Sequence, residues 1–148
     1  MIDGVHVKKL KFIKDERGKL MEVIRKDDPF YSKFGQAYVT TVKPGVVKAW
    51  HYHKIQDDNI ALVRGKVRLG LYDAREGSKT YGEVMELFAD EENPLLVHIP
   101  AGVYHGFKGV GDQETMVMNV PTEPYNHENP DEYRLDPFDN DIAFDWKK

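Results

Sequence analysis

The sequence predicts an all-β fold, a double-sheet jelly roll (double-stranded β-helix), and three observations carry that prediction. Short runs rich in Val, Ile, Leu, Tyr and Phe recur roughly every 8–12 positions with turn residues between them, the spacing of sandwiches and barrels. No part of the 148 residues sustains a helical period. The runs also flank a cluster of histidines, and small jelly rolls enclose sites of this kind.

Taken in order, the runs read as strands and turns. Val7–Ile13 is an apolar run broken by lysines, and Asp15-Glu16-Arg17-Gly18 turns it into Lys19–Arg25. Gln36–Val42, Val46–His53, Asn59–Val63 and Lys66–Asp73 follow, the last two joined by a tight turn at Arg64-Gly65. Lys66–Asp73 alternates well: Val67, Leu69 and Leu71 share one face, and Arg68, Gly70 and Tyr72 the other. Glu83–Phe88, Leu95–Ile99, Tyr104–Val110 and Thr115–Val120 complete the series. Turn residues punctuate it at Lys43-Pro44-Gly45, Glu76-Gly77-Ser78, Asn93-Pro94, Pro100-Ala101-Gly102 and Gly111-Asp112. A short helix is expected to open at Asn129–Tyr133. Without repeat or linker, residues 1–148 read as one domain with an irregular segment from about 125 to 148, anchored across the barrel by Phe138, Ile142, Phe144 and Trp146.

Composition limits the function. Hydrophobic residues make up 41% and charged residues 31% of the chain, values ordinary for a globular protein. A net charge of −4, a pI near 5.9 and the absence of any basic run argue against nucleic acid as a partner. With no cysteine, disulfides and thiolate-ligated metals are excluded. Met1–Leu10 lacks the apolar stretch of a signal peptide, and no run approaches the ~20 apolar residues of a membrane span. A cytoplasmic location is expected.

The chemistry concentrates in the pattern G-x5-H-x-H-x4-D-x6-G from Gly45 to Gly65, and in Pro100-x-Gly102-x-x-His105. On a strand His51 and His53 share a face, Asp58 follows near the start of the next run, and a later strand can bring His105 alongside. Three imidazoles and a carboxylate make either an acid–base site or a metal site. As a metal set, His51, His53, Asp58 and His105 suit a divalent transition ion such as Zn, Fe, Mn or Ni. His6, His98 and His127 lie outside both motifs and read as structural or surface residues; Trp50 and the tyrosines read as packing.

The two motifs resemble those of the cupin superfamily, with Asp58 at the usual Glu and Gly109 at the usual Asn. Four further segments resemble the dTDP-4-dehydrorhamnose 3,5-epimerase family. They are Asp15-Glu16-Arg17-Gly18 with Glu22, then Asp73–Gly82, then Ile99–Phe107, and finally Asp136-Pro137 followed by Ile142 and Trp146. The resemblance implies a jelly roll that inverts a carbon beside the ketone of an NDP-4-keto-6-deoxyhexose, with no required metal. It implies His51 as the base and Tyr125, shortly after Thr122, as the acid. Arg17, Glu22, Gln36, Lys48, His53 and His105 fall where the family contacts its nucleotide-sugar substrate. The family pairs through sheet edges, so a homodimer is expected, with Val7–Ile13 supplying an edge.

Departures from the family are also visible. Lys48 stands for an Arg, His53 for a Gln, and Asp58 for the Lys that stabilises the enolate. The segment that carries the carboxylate partner of the base His in the family would lie beyond Lys148. Slow turnover with inversion at C3 alone is therefore expected on the standard rhamnose precursor. The residues leave two other readings open: a metal-dependent cupin of another class, such as a small-molecule isomerase or dioxygenase, and a non-catalytic sugar-nucleotide-binding module.

Overall fold

The structure, a computed structural model, describes residues 1–148 and contains strands but no helix. Two five-stranded antiparallel sheets pack face to face as a jelly roll. The first takes β1 (His6–Lys9), β9 (Leu95–Ile99), β6 (Asp58–Arg64), β11 (Thr115–Asn119) and β4 (Tyr38–Val42), in that order. The second takes β12 (Tyr133–Arg134), β5 (Val47–Tyr52), β10 (Val103–Gly109), β7 (Lys66–Asp73) and β8 (Val84–Asp90). A separate hairpin pairs β2 (Ile13–Asp15) with β3 (Gly18–Leu20).

The period-two pattern of the sequence fills the space between the sheets. Ile60 and Leu62 of β6, Val97 and Ile99 of β9, Val117 of β11 and Val42 of β4 meet Val67, Leu69 and Leu71 of β7 and Val103 and Phe107 of β10. Two inward series change chemistry at one end of this core. The β6 series that continues as Ile60 and Leu62 begins with Asp58, and on β10 His105 stands between Val103 and Phe107. The register sets His105 directly opposite His51 of β5. Gly106 permits this close pairing, since a Cβ there would come within 2.2 Å of the Ala49 Cβ.

On the outer face of the second sheet, Trp50 is fully buried, with Trp146 at 5.1 Å and Phe144 at 5.5 Å between ring centroids. Arg68, outward as expected, lies over the Phe144 ring at 4.4 Å and pairs with Glu86. The C-terminal segment is thus anchored through Phe144 and Trp146, whereas Phe138 is 58% exposed.

Three expected elements differ. The Val7–Ile13 run breaks after Lys9, which pairs with Leu95 at the end of β9; one further bond, from the Leu10 N–H to the Pro94 carbonyl at 2.9 Å, closes the ladder. The Lys19–Arg25 strand stops at Leu20, where its only partner, β2, ends at Ile13. The helix expected at Asn129–Tyr133 does not form. Asp131 there bonds to the segment after β5, and Tyr133 and Arg134 pair with Tyr52 and His51 as an edge strand.

Candidate active site

Asp58 is the centre of the polar end of the barrel. It is 2% exposed, and its Oδ2 lies 2.9 Å from His105 Nε2 and 3.1 Å from His53 Nε2. Its Oδ1 accepts a bond from Gln56 Nε2 at 2.9 Å. Each imidazole is oriented from behind. His105 Nδ1 faces the Val103 carbonyl at 3.0 Å, and His53 Nδ1 faces the Asp131 carbonyl. A carbonyl only accepts, so both Nδ1 atoms carry a proton and both Nε2 atoms point at the carboxylate.

Burial alone would raise the Asp58 pKa, but the bonds from His105 and His53 hold the carboxyl well below the usual range. Burial works to lower that of His53, and the bond and charge of Asp58, with the Asp131 carbonyl, outweigh it and raise it to about 9. His53 is therefore held as an imidazolium paired with the Asp58 carboxylate. His51 is different: burial, then the charges of His105 and His53, push it down to about 3. Its ring lies 5.8 Å from that of His105, and it is a neutral imidazole beside the His53–Asp58 ion pair.

A strap from Pro121 to Glu132 closes this end. Thr122 bonds Asp57 in both directions, its N–H donating to the Asp57 carbonyl and its Oγ1 accepting from the Asp57 N–H. Gly35 donates to the Pro121 carbonyl at 2.9 Å, and a Cβ at Gly35 would come within 2.3 Å of the Glu123 backbone. Only glycine lets the strap lie there, and the next residue, Gln36, accepts the Tyr125 N–H at 3.2 Å. Farther along, the Asp131 carboxylate accepts the N–H groups of Lys54, Ile55 and Gln56 at 2.8, 2.9 and 3.0 Å. One residue thus fixes the loop after β5 and, through its carbonyl, the His53 ring.

Between strap and barrel lies a cavity of about 1120 Å³ whose lining includes Gln36, Tyr38, His53, Gln56, Tyr125 and Asp131. Tyr125 is 44% exposed, its ring edge-on to His127 at 4.7 Å. Tyr38 accepts a bond from Asn119 Nδ2 at 2.9 Å, and burial and the Asp58 charge raise its pKa. Glu123, Glu128 and Glu132 also line the cavity, Glu123 paired with Lys33 and Glu132 with Arg134.

The expected residues thus sort into three groups. His53, Asp58 and His105 come together, with ligand atoms all within 4.8 Å of one another; His51 stays outside this group, so the four-membered metal set is reduced to three. Gln36 and Tyr125 line the cavity with His53, whereas His51, Asp58 and His105 are not part of its lining, and Lys48 reaches across from β5 to Thr40 of β4 at 3.1 Å, placed by the bulge that pairs it with Phe107. Arg17 and Glu22 do not join. Arg17 is paired with Asp15 in the hairpin turn, and Glu22 with Arg25. Lys19 of the hairpin bonds Glu91, which in turn accepts the N–H of Gly65, at the far end of β6 from Asp58. Those seven residues of β6 span ~20 Å. Tyr38, Gln56, Asp131 and His127 were not singled out by motif. Tyr38 had a readable signal, two positions after Gln36 and so on the same face of the run; Gln56 and Asp131 are placed by a long-range loop contact, and His127 packs on Tyr125 within the strap.

The chain matches the family model described as dTDP-4-dehydrorhamnose 3,5-epimerase over residues 1–148. It is 43% identical, over 99% of its length and 97% of the relative's, to the spore coat polysaccharide biosynthesis protein SpsL of Bacillus subtilis. It is 40% identical, over 98% of its length and 94% of the relative's, to a protein of Haloferax volcanii named as a probable low-salt glycan biosynthesis epimerase. Among solved structures, a dTDP sugar isomerase from Desulfovibrio desulfuricans G20 superposes with a TM-score of 0.91 at 31% identity, covering 98% of this chain and 92% of that one.

Proposed function

The chain belongs to the dTDP-4-dehydrorhamnose 3,5-epimerase family and is an epimerase-type isomerase, and from that premise we propose that it inverts C3 of an NDP-linked 4-keto-6-deoxyhexose. The observation that carries this reading is the placement of His51, directly opposite His105 with the rings 5.8 Å apart, beside the hydrogen-bonded His53–Asp58 pair. A proton on carbon next to a ketone is removable when the base is unprotonated and the oxygen's developing charge is met by a fixed cation. His51 is the base. His53, backed by Asp58, takes the place of the family's Lys as the positive group near the enolate oxygen, with His105 as the second imidazole of that centre. Tyr125, on the strap across the cavity, returns the proton from the opposite face. Gln36 and Lys48 contact the substrate.

The cavity lining holds no lysine or arginine to meet a diphosphate by itself. In a homodimer, the exposed hairpin of a second copy would bring Arg17, with Glu22 following it, to this mouth, and β1 lies at an open sheet edge. A guanidinium offers the paired donors a diphosphate needs. Light scattering should find a dimer, and Arg17→Ala should weaken dTDP binding without changing the chemistry of bound sugar.

The test of the reaction is exchange of solvent deuterium into the sugar. His51→Ala should slow exchange by ~10²–10⁴-fold, the usual worth of a general base, with dTDP binding kept. Tyr125→Phe should exchange but not invert. Exchange at the wild-type rate in His51→Ala would refute the assignment.

A further inference from the structure

We propose that the Tyr38 phenol donates a hydrogen bond to the ketone oxygen of the bound sugar and holds that oxygen as it becomes an enolate, a part for which this chain has no lysine. The inference rests on the epimerase reading and adds to it a donor that the histidine cluster cannot supply. Both protons of the His53 imidazolium are already committed, Nε2 to Asp58 Oδ2 at 3.1 Å and Nδ1 to the Asp131 carbonyl. His105 has no free N–H either, because its Nδ1 proton goes to the Val103 carbonyl at 3.0 Å and its Nε2 faces Asp58 at 2.9 Å. Gln56 gives its amide N–H to Asp58 Oδ1. The centre therefore offers charge without a free donor, and a developing oxyanion is held by donors aimed at it.

Tyr38 is fixed from behind by a buried chain of amides. On β11, Asn119 stands opposite Tyr38 in register and is 2% exposed. Its Oδ1 accepts the backbone N–H of Asn59 at 3.0 Å. An N–H only donates, which fixes that atom of the amide as the oxygen and turns the NH₂ group to the Tyr38 hydroxyl at 2.9 Å. The phenol oxygen accepts from Asn119, so its own proton points elsewhere, with no acceptor in the protein. Asn59 is secured in turn. Its Nδ2 donates to the Val120 carbonyl at 2.9 Å, and its Oδ1 accepts from Nδ1 of the buried His98 at 2.8 Å. Asn59 directly follows Asp58, so the chain of amides ends beside the carboxylate that pairs with His53. A hydroxyl that accepts one bond is polarised into a better donor of another. Burial and the Asp58 charge raise its pKa, so the phenol keeps its proton at neutral pH and acts by sharing it. Tyr38 faces the same cavity as His53 and Tyr125, but from the paired strand β4, and a strand holds a donor to closer tolerance than a loop.

The step balances. His51 takes the C3 proton, the C–H pair becomes the C3–C4 double bond, and the carbonyl pair moves onto the oxygen that Tyr38 holds. On return the pair goes back to C3, which takes a proton from Tyr125 on the opposite face. Solvent then reprotonates Tyr125 and deprotonates His51.

The test is Tyr38→Phe in the full-length chain, with a dTDP-linked 4-keto-6-deoxyhexose in deuterium oxide and dTDP affinity measured alongside. Exchange into the sugar and net inversion should fall together in kcat by ~10²–10³-fold, the usual effect of removing one oxyanion donor, with dTDP affinity unchanged. Tyr125→Phe is expected to keep exchange and lose inversion, so the two phenols are told apart. Wild-type exchange in Tyr38→Phe overturns the proposal, as does exchange without inversion, or a loss that follows only dTDP affinity and melting temperature. Should Tyr38→Phe not fold, 3-fluorotyrosine at position 38 decides: a more acidic phenol should change kcat and leave dTDP affinity alone, and an unchanged kcat overturns the proposal. A wild type that exchanges no deuterium refutes the epimerase reading and this inference with it. Equal exchange in wild type and Tyr38→Phe ends this inference alone.

Discussion

Two aspartates are equally buried in this barrel and do opposite things. Asp73, fully buried at the end of β7, receives Arg75 through Nε at 2.8 Å and Nη2 at 2.9 Å, Ser78 at 2.7 Å and Thr80 at 2.6 Å. Arg75 goes on to the Asp3 carbonyl at 2.6 Å, so the group ties the N-terminus, β7 and the loop before β8 together. Asp58 has the same burial, but its partners are two imidazoles and an amide, and His53 opens onto a cavity. A guanidinium is permanently charged, whereas an imidazole can gain, lose or share its cation. A buried carboxylate with a fixed counter-charge is a rivet. One whose counter-charge can be exchanged, at the edge of a cavity, is a place for chemistry.

The most severe way to break this comparison is to remove the rivet's cation. Arg75→Met should leave Asp73 buried and unpaired and lower stability by about 3–5 kcal/mol, towards the lower figure because Arg75 keeps some solvent contact. Urea unfolding measures it, and a loss under about 1 kcal/mol, the worth of an ordinary hydrogen bond, would show that Asp73 is no rivet. Asp58→Asn should be milder for stability, about 1–2 kcal/mol, because the His53 imidazolium can simply release its proton. Its damage should fall on deuterium exchange instead. Equal unfolding losses in the two variants would erase the distinction.

The effect on any single pH step is smaller on the acid limb of stability. Burial opposes ionisation of Asp73, but the Arg75, Thr80 and Ser78 bonds prevail and hold its carboxyl below the usual range. The unfolded chain then binds this proton first. The contribution is complete above the unfolded value of 3.8 and fades as pH falls from there through the lower folded value. Between pH 4 and 2 the wild type should therefore lose up to ~1.4 kcal/mol per pH unit from this group, and Asp73→Asn should show a shallower slope.

What the sequence disclosed, and what it hid, divides along similar lines. Lys66–Asp73 alternates over its whole length and forms β7 as read, because local pattern and sheet burial agree. The ends of Val7–Ile13 and Lys19–Arg25 were illegible, since where a strand stops depends on where its distant partner stops. The convergence of His53, Asp58 and His105 followed from spacing. The separation of His51 from them did not: β5 ends at Tyr52, so His53 leaves the strand and turns to Asp58 while His51 stays in register with His105. Asp131 gave no warning, because its bonds reach back 75 to 78 positions. Arg17 was visible as part of a motif, but a motif does not say which end of a barrel its hairpin will occupy.

One last feature concerns how this protein can be watched. Its only two tryptophans, Trp50 and Trp146, lie edge to face in one aromatic cluster, and neither indole N–H has a hydrogen-bond partner. Trp50 is the immediate neighbour of His51, on the reverse side of the same strand. Ultraviolet emission from this chain therefore comes from a single dry spot directly behind the His51 imidazole. A red shift would register loss of the C-terminal anchor or release of β5, so the strand that bears His51 carries its own optical gauge.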